Sequence, residues 1–295
     1  MQRFQRGMSN GGAAQARNGE ALDMETLHAV VPSLFATKAH ESRSDRFAPI
    51  PTIDIVRGLQ KEGFQPFFAQ QARTRDTSRR DFTRHVIRMR HESLARTTGE
   101  AFEIILSNAN DGTAAYQMLP GFFRFVCMNG LFVGDSFEAV KVRHTGNAMH
   151  DVIDGAYTVL ENAPRLIDSV DRFKAIDLDR DESRAFARLA HMARFPNAWE
   201  NDDSGRPQYV EGIAPIDPAR MLQARRYADK ATDLWTTFNV AQENAVRGGL
   251  RGRVQGSDGR ARNATVRAVK GIAQATDLNR KLWTLADELA ALKAA

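Results

Sequence analysis

The sequence predicts an α+β fold, with antiparallel strands in a sheet-rich N-terminal half and a mainly helical C-terminal half. Three observations carry this. Apolar residues alternate, or run in short blocks, at Arg84–Glu92, Ala101–Ser107 and Glu138–His144. From Met149 onward they recur at three- and four-residue spacing instead, through Val152, Ile153, Ala156, Val159, Leu160, Ala163, Leu166, Ile167, Val170 and Phe173. The two patterns follow one another along the chain, which separates α+β from an alternating α/β layout.

The elements follow in order. Residues 1–45 are polar and poorly periodic; about 1–22 read as disordered, followed by a short helix near Leu22–Phe35. Pro49-Ile-Pro51-Thr52 reads as a helix entry with Thr52 as a candidate cap, and the helix ends at Gly63. The β-rich half spans 46–148. It holds Phe64–Gln71, interrupted by Pro66, and the two strands Arg84–Glu92 and Ala101–Ser107. A dense turn follows at Ser107-Asn-Ala-Asn-Asp-Gly112. Ala114–Val133 reads as further strand with Asn129-Gly130 as the hairpin turn, with helix as the alternative for its FFRFVCM segment. The helical half, 149–295, opens with a long helix bent at Pro164. It continues with Asp181–Arg194, a loop at Phe195–Pro215, a helix start at Asp217-Pro218, and helices at Ala231–Val246 and Asp277–Leu292. The last carries the stripe Leu278, Leu282, Leu285, Leu289 and Leu292. Residues 46–295 are expected to form one integrated domain.

Composition narrows the function. The chain has 295 residues, 42% of them apolar and 17 of them phenylalanine, which suffices for a proper core. No run of eighteen apolar residues is present, so no membrane span is expected, and the basic N-terminus lacks the apolar stretch of a secretory signal. A cytoplasmic location follows. The single cysteine, Cys127, excludes an intramolecular disulfide and sits among apolar neighbours, as a buried inert thiol would. A net charge of +5 favours polyanionic partners.

That charge is unevenly distributed. Arg73 to Arg90 holds seven arginines, at 73, 75, 79, 80, 84, 88 and 90, against Asp76 and Asp81. On a strand, Arg84, Arg88 and Arg90 share one face, with successive same-face positions about 6.6 Å apart. That repeat is close to the phosphate spacing of an extended single strand, and a guanidinium is a bidentate match for phosphate. A solvated, partly ion-paired sheet face is the bland alternative. The second cluster is Arg247, Arg251, Arg253, Arg260, Arg262, Arg267 and Lys270 against a single acid, Asp258. Its interspersed glycines suggest a flexible loop that drapes along a phosphate backbone, or simply a disordered surface loop.

Catalytic signatures are sparse. No phosphate-binding glycine loop, dinucleotide fingerprint or zinc-ligand spacing occurs, and no cofactor is implied. Asn108 and Asp111 are weak candidates for a divalent cation, on residue types that a tight turn also wants. Asp229 and Asp233 are spaced to share a helix face near Glu243 and Asn244, with capping or pairing to Arg225 or Arg226 as the competing explanation.

Several segments together resemble the phage/plasmid-like protein family. They are Gln71-Ala-Arg-Thr-Arg-Asp, His85-Val-Ile-Arg-Met-Arg, Glu103-Ile-Ile-Leu-Ser-Asn-Ala-Asn-Asp-Gly, Phe123-Arg-Phe-Val-Cys-Met-Asn-Gly-Leu, Arg143-His-Thr-Gly, Asp233-Leu-Trp-Thr-Thr-Phe-Asn-Val-Ala-Gln-Glu-Asn and Arg247-Gly-Gly-Leu. The likeness covers about 45–292. It implies a plasmid- or prophage-borne protein whose family has no assigned reaction. The family shows histidine where Asn110 stands, which counts against histidine chemistry at that turn. The order of strands then helices is also similar, at the level of fold, to single-strand annealing recombination mediators.

The expected function is therefore non-catalytic binding of nucleic acid, single-stranded DNA above all, in annealing or recombination on a mobile element, with a homo-oligomeric ring as one form. A metal-dependent DNA-processing enzyme and an inhibitor of a host defence protein are the alternatives.

Overall fold

The computed structural model describes residues 13–16, 20–43, 47, 49–91, 100–124, 129–132, 140–142 and 148–294, with backbone alone from 123 to 149. Cys127, the FFRFVCM segment beyond Arg124 and most of Glu138–His144 lie outside the described residues or their side chains. The fold is α+β. It divides into two compact units, one reaching Pro164 and the other running from Arg165 to Ala295. The division falls some fifteen residues beyond the change of periodicity at Met149, because the first long helix packs on the sheet.

The first unit is built on a seven-stranded antiparallel sheet. Its strands are β1 (Ala13–Gln15), β2 (Phe64–Gln71), β3 (His85–His91), β4 (Glu100–Asn108), β5 (Tyr116–Arg124), β6 (Asn129–Phe132) and β7 (Val140–Val142). They pair in sequence order as far as β5, whose far edge is shared by β6 and β7. β4 is buried at all nine positions, so the sheet centre is covered on both faces. Helices α1 (Met24–Val30), α2 (Thr52–Lys61) and α3 (Ala148–Glu161) belong to this unit.

Three expectations change here. Residues 13–15 pair with Phe68–Gln70, and the amides of Ala16 and Leu22 donate to the Phe67 and Pro66 carbonyls, so these residues of the expected disordered segment are held by β2; residues 1–12 and 17–19 lie outside the described residues. Asn129 and Gly130 sit opposite Arg124 and Phe123 within the β5–β6 ladder, so they are strand residues and not the expected turn. Thr52 does not cap α2 with its side chain. It is fully buried, and its hydroxyl serves a polar network described below. Gly63 ends the helix as expected, at φ 88°.

The second unit contains α4 (Ala163–Ala175), α5 (Arg180–Arg194), α6 (Leu234–Val246) and α7 (Ile272–Ala294). The expected bent helix is two helices, α3 and α4, separated at Asn162; Pro164 falls in the first turn of α4, where a missing amide costs nothing. α5 starts with a full capping box, Asp179 with Glu182. α6 is buried from Leu234 to Ala245, which makes it the central rod of the unit. Around it, Trp283 packs 5.1 Å from Phe173 and 5.9 Å from Phe238, centroid to centroid. The buried stripe of α7 is Leu278, Leu282, Trp283, Ala286 and Ala290, while Leu292 is 75% exposed. The supposed loops carry two hairpins: β8 (Trp199–Asn201) with β9 (Pro207–Tyr209), and β10 (Arg251–Gln255) with β11 (Ala261–Thr265).

Candidate nucleic-acid interface

The arginines of β3 do not face outward. The register sets Arg88 opposite Ile105 and Met89 opposite Ile104, which brings Arg88 and Arg90 beside Glu103. Arg90 Nε donates to Glu103 Oε1 at 2.8 Å, and Arg88 Nε lies 3.3 Å from Glu103 Oε2. Arg88 is 4% exposed and Glu103 is fully buried. Their guanidiniums also cover aromatic rings: Arg88 Cζ is 4.2 Å from the Phe68 centroid, and Arg90 Cζ is 4.1 Å from that of Phe67. Burial pulls the Arg88 guanidinium below its usual range, with Glu103 opposing and Arg90 reinforcing that pull. Arg84 Nε donates to the Ser107 hydroxyl at 3.1 Å. The expected phosphate row of Arg84, Arg88 and Arg90 is thus corrected: Arg88 and Arg90 form an internal cluster with Glu103, and the half-buried Arg84 bonds Ser107. The missing signal was Glu103, an acid inside the apolar run AFEIILS whose partner had to be a cation on a neighbouring strand.

The loop before β3 remains exposed. Arg73, Arg75 and Arg80 are solvent-facing, and Arg79 is half-buried, 3.4 Å from Asp76. Asp76 caps the short 3₁₀ turn Thr77–Phe82 by accepting from the Ser78 amide at 3.0 Å. The Arg80 carbonyl accepts from Gln71 Nε2 at 2.6 Å, so the loop's base is fixed to β2.

The second cluster is ordered. Arg251–Gln255 and Ala261–Thr265 form an antiparallel ribbon with Arg251 opposite Thr265, Arg253 opposite Asn263 and Gln255 opposite Ala261. Opposed residues share a face, so these six side chains form one surface, and all six are exposed. The other face carries Gly252, Val254, Arg262 and Ala264. Gly252 is pressed on the chain beneath: a Cβ there would stand 1.7 Å from the Pro215 carbonyl oxygen. The Arg253 amide donates to the Pro215 carbonyl at 3.0 Å and the Gln255 amide to that of Gly212 at 2.7 Å, while the Arg220 guanidinium reaches the Arg251 carbonyl. Leu250 and Val266 are buried at the ribbon's base. The expectation of a flexible loop is therefore corrected. The glycines serve close approach and the turn, where Gly256 and Arg260 bond and Gly259 takes φ 74°. The period-two spacing Arg251-x-Arg253-x-Gln255, a Gly-Ser-Asp-Gly turn, then Ala261-x-Asn263-x-Thr265 was the signal for a hairpin.

The bed beneath the ribbon is held by His191. Its Nε2 donates to the Ile216 carbonyl at 2.9 Å while Nδ1 accepts from Trp199 Nε1 at 3.0 Å, which assigns a neutral ring. Burial lowers the pKa of His191 despite the Ile216 contact. A groove of about 570 Å³ runs along β11, lined by Arg194, Phe195, Pro215, Asn263 to Thr265 and Arg267. Arg194 is spent on structure, donating to the carbonyls of Ala245 at 2.9 Å and Arg267 at 2.8 Å.

The acids proposed for metal chemistry are engaged elsewhere. Glu243 accepts from Arg226 at 2.7 and 2.8 Å and from Arg247 at 2.7 Å; Asp229 accepts from Arg226 at 3.2 Å. Burial raises Glu243, but the Arg226 and Arg247 bonds outweigh it and hold the carboxyl below its usual range. Asp229 and Asp233 do not share a helix face, since Asp229 lies in the turn Tyr227–Lys230 and Asp233 is the N-cap of α6. Asn108 Nδ2 is fully buried and donates to the Ile50 carbonyl and the Thr52 hydroxyl, both at 3.0 Å. Asp111 closes its own turn, accepting from the Thr113 amide and hydroxyl at 3.0 and 2.6 Å. Among the described residues no group of three His, Cys, Asp or Glu is placed to hold a metal ion.

One further constellation joins Ser33, His85 and Thr52. Ser33 Oγ is 3.0 Å from His85 Nδ1, and His85 Nε2 is 2.8 Å from the Thr52 hydroxyl. A serine beside a histidine invites a nucleophile reading, but Ser33, His85 and Thr52 are all 0% exposed and no substrate reaches them. Thr52 accepts from Asn108, which leaves its proton for His85 Nε2. The network fastens the segment before α2, the first turn of α2, β3 and the end of β4 to one another.

Comparison with known proteins gives the family and no reaction. The chain matches the family described as Domain of unknown function (DUF932) over residues 39–283, and it belongs to that family. Two relatives from Escherichia coli (strain K12), UPF0380 protein YafZ and UPF0380 protein YfjQ, are each 43% identical over 280 residues, which is 95% of this chain and 95% of theirs. No solved structure matches the chain. No helix among the described residues is long and apolar enough to cross a membrane.

Proposed function

We propose that this chain is a non-catalytic nucleic-acid-binding protein that meets its partner through the β10–β11 ribbon and the cations flanking it. The carrying observation is the ribbon's outer face: six exposed side chains, two of them arginine, with no carboxylate among them. Arg260 at the turn and Arg267 and Lys270 beyond β11 are exposed as well. Arg262 is paired with Asp258 at 2.9 Å and Arg247 with Glu243, so those two are partly neutralised. Arg73, Arg75, Arg79 and Arg80 offer a second contact from the first unit. The plasmid or prophage setting implied by the resemblance belongs to this proposal, because such elements are copied and moved as nucleic acid.

Single-stranded DNA, bound for annealing or recombination, is a second reading favoured by one observation. Tyr227 is 88% exposed, beside the Arg225–Arg226 pair, and an exposed ring is a stacking platform for an unpaired base.

The test is binding of the full chain to labelled oligonucleotides at about 0.15 M salt, repeated with Arg260→Glu/Arg267→Glu. The charge reversal is expected to abolish retention without altering the fold, as judged by circular dichroism. Equal retention by both proteins would remove the ribbon from the interface.

A further inference from the structure

We propose that the outer face of the β10–β11 ribbon enters the major groove of duplex DNA and reads base edges with Arg251, Arg253, Gln255 and Asn263. This rests on the nucleic-acid reading above and assigns it a substrate class.

The chemistry of the face is the first support. A surface built only to hold phosphates needs positive charge alone. This one pairs Arg253 with Asn263 and sets Gln255 two residues along, its Nε2 resting 3.5 Å from the Gly259 carbonyl of the turn until a base edge takes its place. Arginine is the bidentate partner of guanine, and asparagine and glutamine are the bidentate partners of adenine, all on the major-groove edge. The remaining positions, Ala261 and Thr265, are small and carry methyl groups that suit the thymine methyl.

Geometry is the second support. Five residues at about 3.3 Å each give a ribbon roughly 13 Å long from first to last Cα, with strands about 4.8 Å apart. A two-stranded ribbon of this kind fits a major groove about 12 Å wide. The face is also preorganised. Its backbone is fastened to Gly212, Pro215 and Arg220, and Gly252 lets the ribbon lie on Pro215 without a gap. The side chains that read bases therefore stand on a rigid support rather than a loop ordered on contact. Arg260 and Arg267 lie at the ends of the ribbon, placed for the phosphates that border the groove.

No aromatic residue occurs on the outer face, so base stacking has no platform there. Tyr227, the exposed ring of this unit, lies outside the ribbon.

The experiment has two arms, both on the full-length chain. In the first, affinity is measured for a duplex and a single strand of the same length. In the second, a random duplex pool is selected for a preferred site, and Arg253→Lys and Asn263→Ala are compared with the parent on that site and on an unrelated duplex. Tighter binding to duplex is expected, with a defined preferred site. Each variant should lose about ten- to hundred-fold on that site and little on the unrelated duplex. Arg253→Lys keeps the charge, so its loss reports bidentate reading and not folding. Tighter binding to the single strand, no site emerging from the pool, or equal losses on both duplexes would each overturn the inference while leaving nucleic-acid binding intact. Absence of binding to any oligonucleotide would overturn both.

Discussion

Glu103 shows most plainly what a single residue does in this fold. One carboxylate, fully buried, holds Arg88 and Arg90 on the adjacent strand. Removing its charge leaves two guanidiniums in the sheet without their common partner, the situation in which a buried pair is costly to break. Glu103→Gln is expected to destabilise the protein by about 3–5 kcal/mol, measured by urea denaturation. A loss below about 1 kcal/mol would mean that other groups carry the neutralisation. His85 adds a pH term. Its burial drives the ring pKa down to about 4 from the model-peptide value of 6.5. The folded state thus resists a proton that the unfolded chain accepts, so the stabilisation is complete above pH 6.5 and is lost as pH falls towards 4. Between pH 7 and pH 5 this one group should remove about 2 kcal/mol of stability. The ring protons of His85 should meanwhile stay at their neutral shifts in NMR spectra at pH 5, and an ordinary titration near 6.5 would refute this.

At the scale of the element, β3 and the β10–β11 ribbon make opposite use of arginine. β3 lies between β2 and β4 in the middle of a sheet, and its cations turn inward to a carboxylate. The ribbon lies on the surface, and its outer cations have no carboxylate across the ladder. Spacing placed the β3 arginines on one face of a strand without saying that this face is covered, and it read the ribbon as a loop. β3 was legible from its alternation, and β2 and β4 from short apolar runs bounded by turn signals. The ribbon was hidden because Gly248, Gly249, Gly252, Gly256 and Gly259 lower strand propensity, although close packing is what Gly252 supplies. Gly252→Ala should therefore unseat the ribbon, since the opposing atom is backbone and has little room to move. A destabilisation on the order of 3 kcal/mol, with the Arg253 amide losing its protection in hydrogen exchange, is the expected outcome. Unchanged protection would mean that the ribbon is held by other contacts.

For the whole molecule, the net charge of +5 was a weaker guide than the location of each cation. The α+β class and most helices could be read from the change of hydrophobic period. The boundary between units could not, because α3 has helical periodicity while packing on the sheet. The candidate interface was half legible. Arg73, Arg75 and Arg80 and the arginines of the β10–β11 ribbon's outer face are exposed, the latter on a hairpin where a loop was expected, whereas Arg88 and Arg90 turn to Glu103 and Arg84 to Ser107. Asn263 and Thr265 were overlooked, since a polar residue gains meaning only once the ladder places it beside an arginine.

The salt dependence of binding tests the nucleic-acid reading most directly. The logarithm of the duplex association constant should fall linearly with the logarithm of salt concentration. Arg260→Ala and Arg267→Ala should each flatten the slope by about 0.9. A slope identical in parent and variants, or no association at about 0.05 M salt, would contradict it.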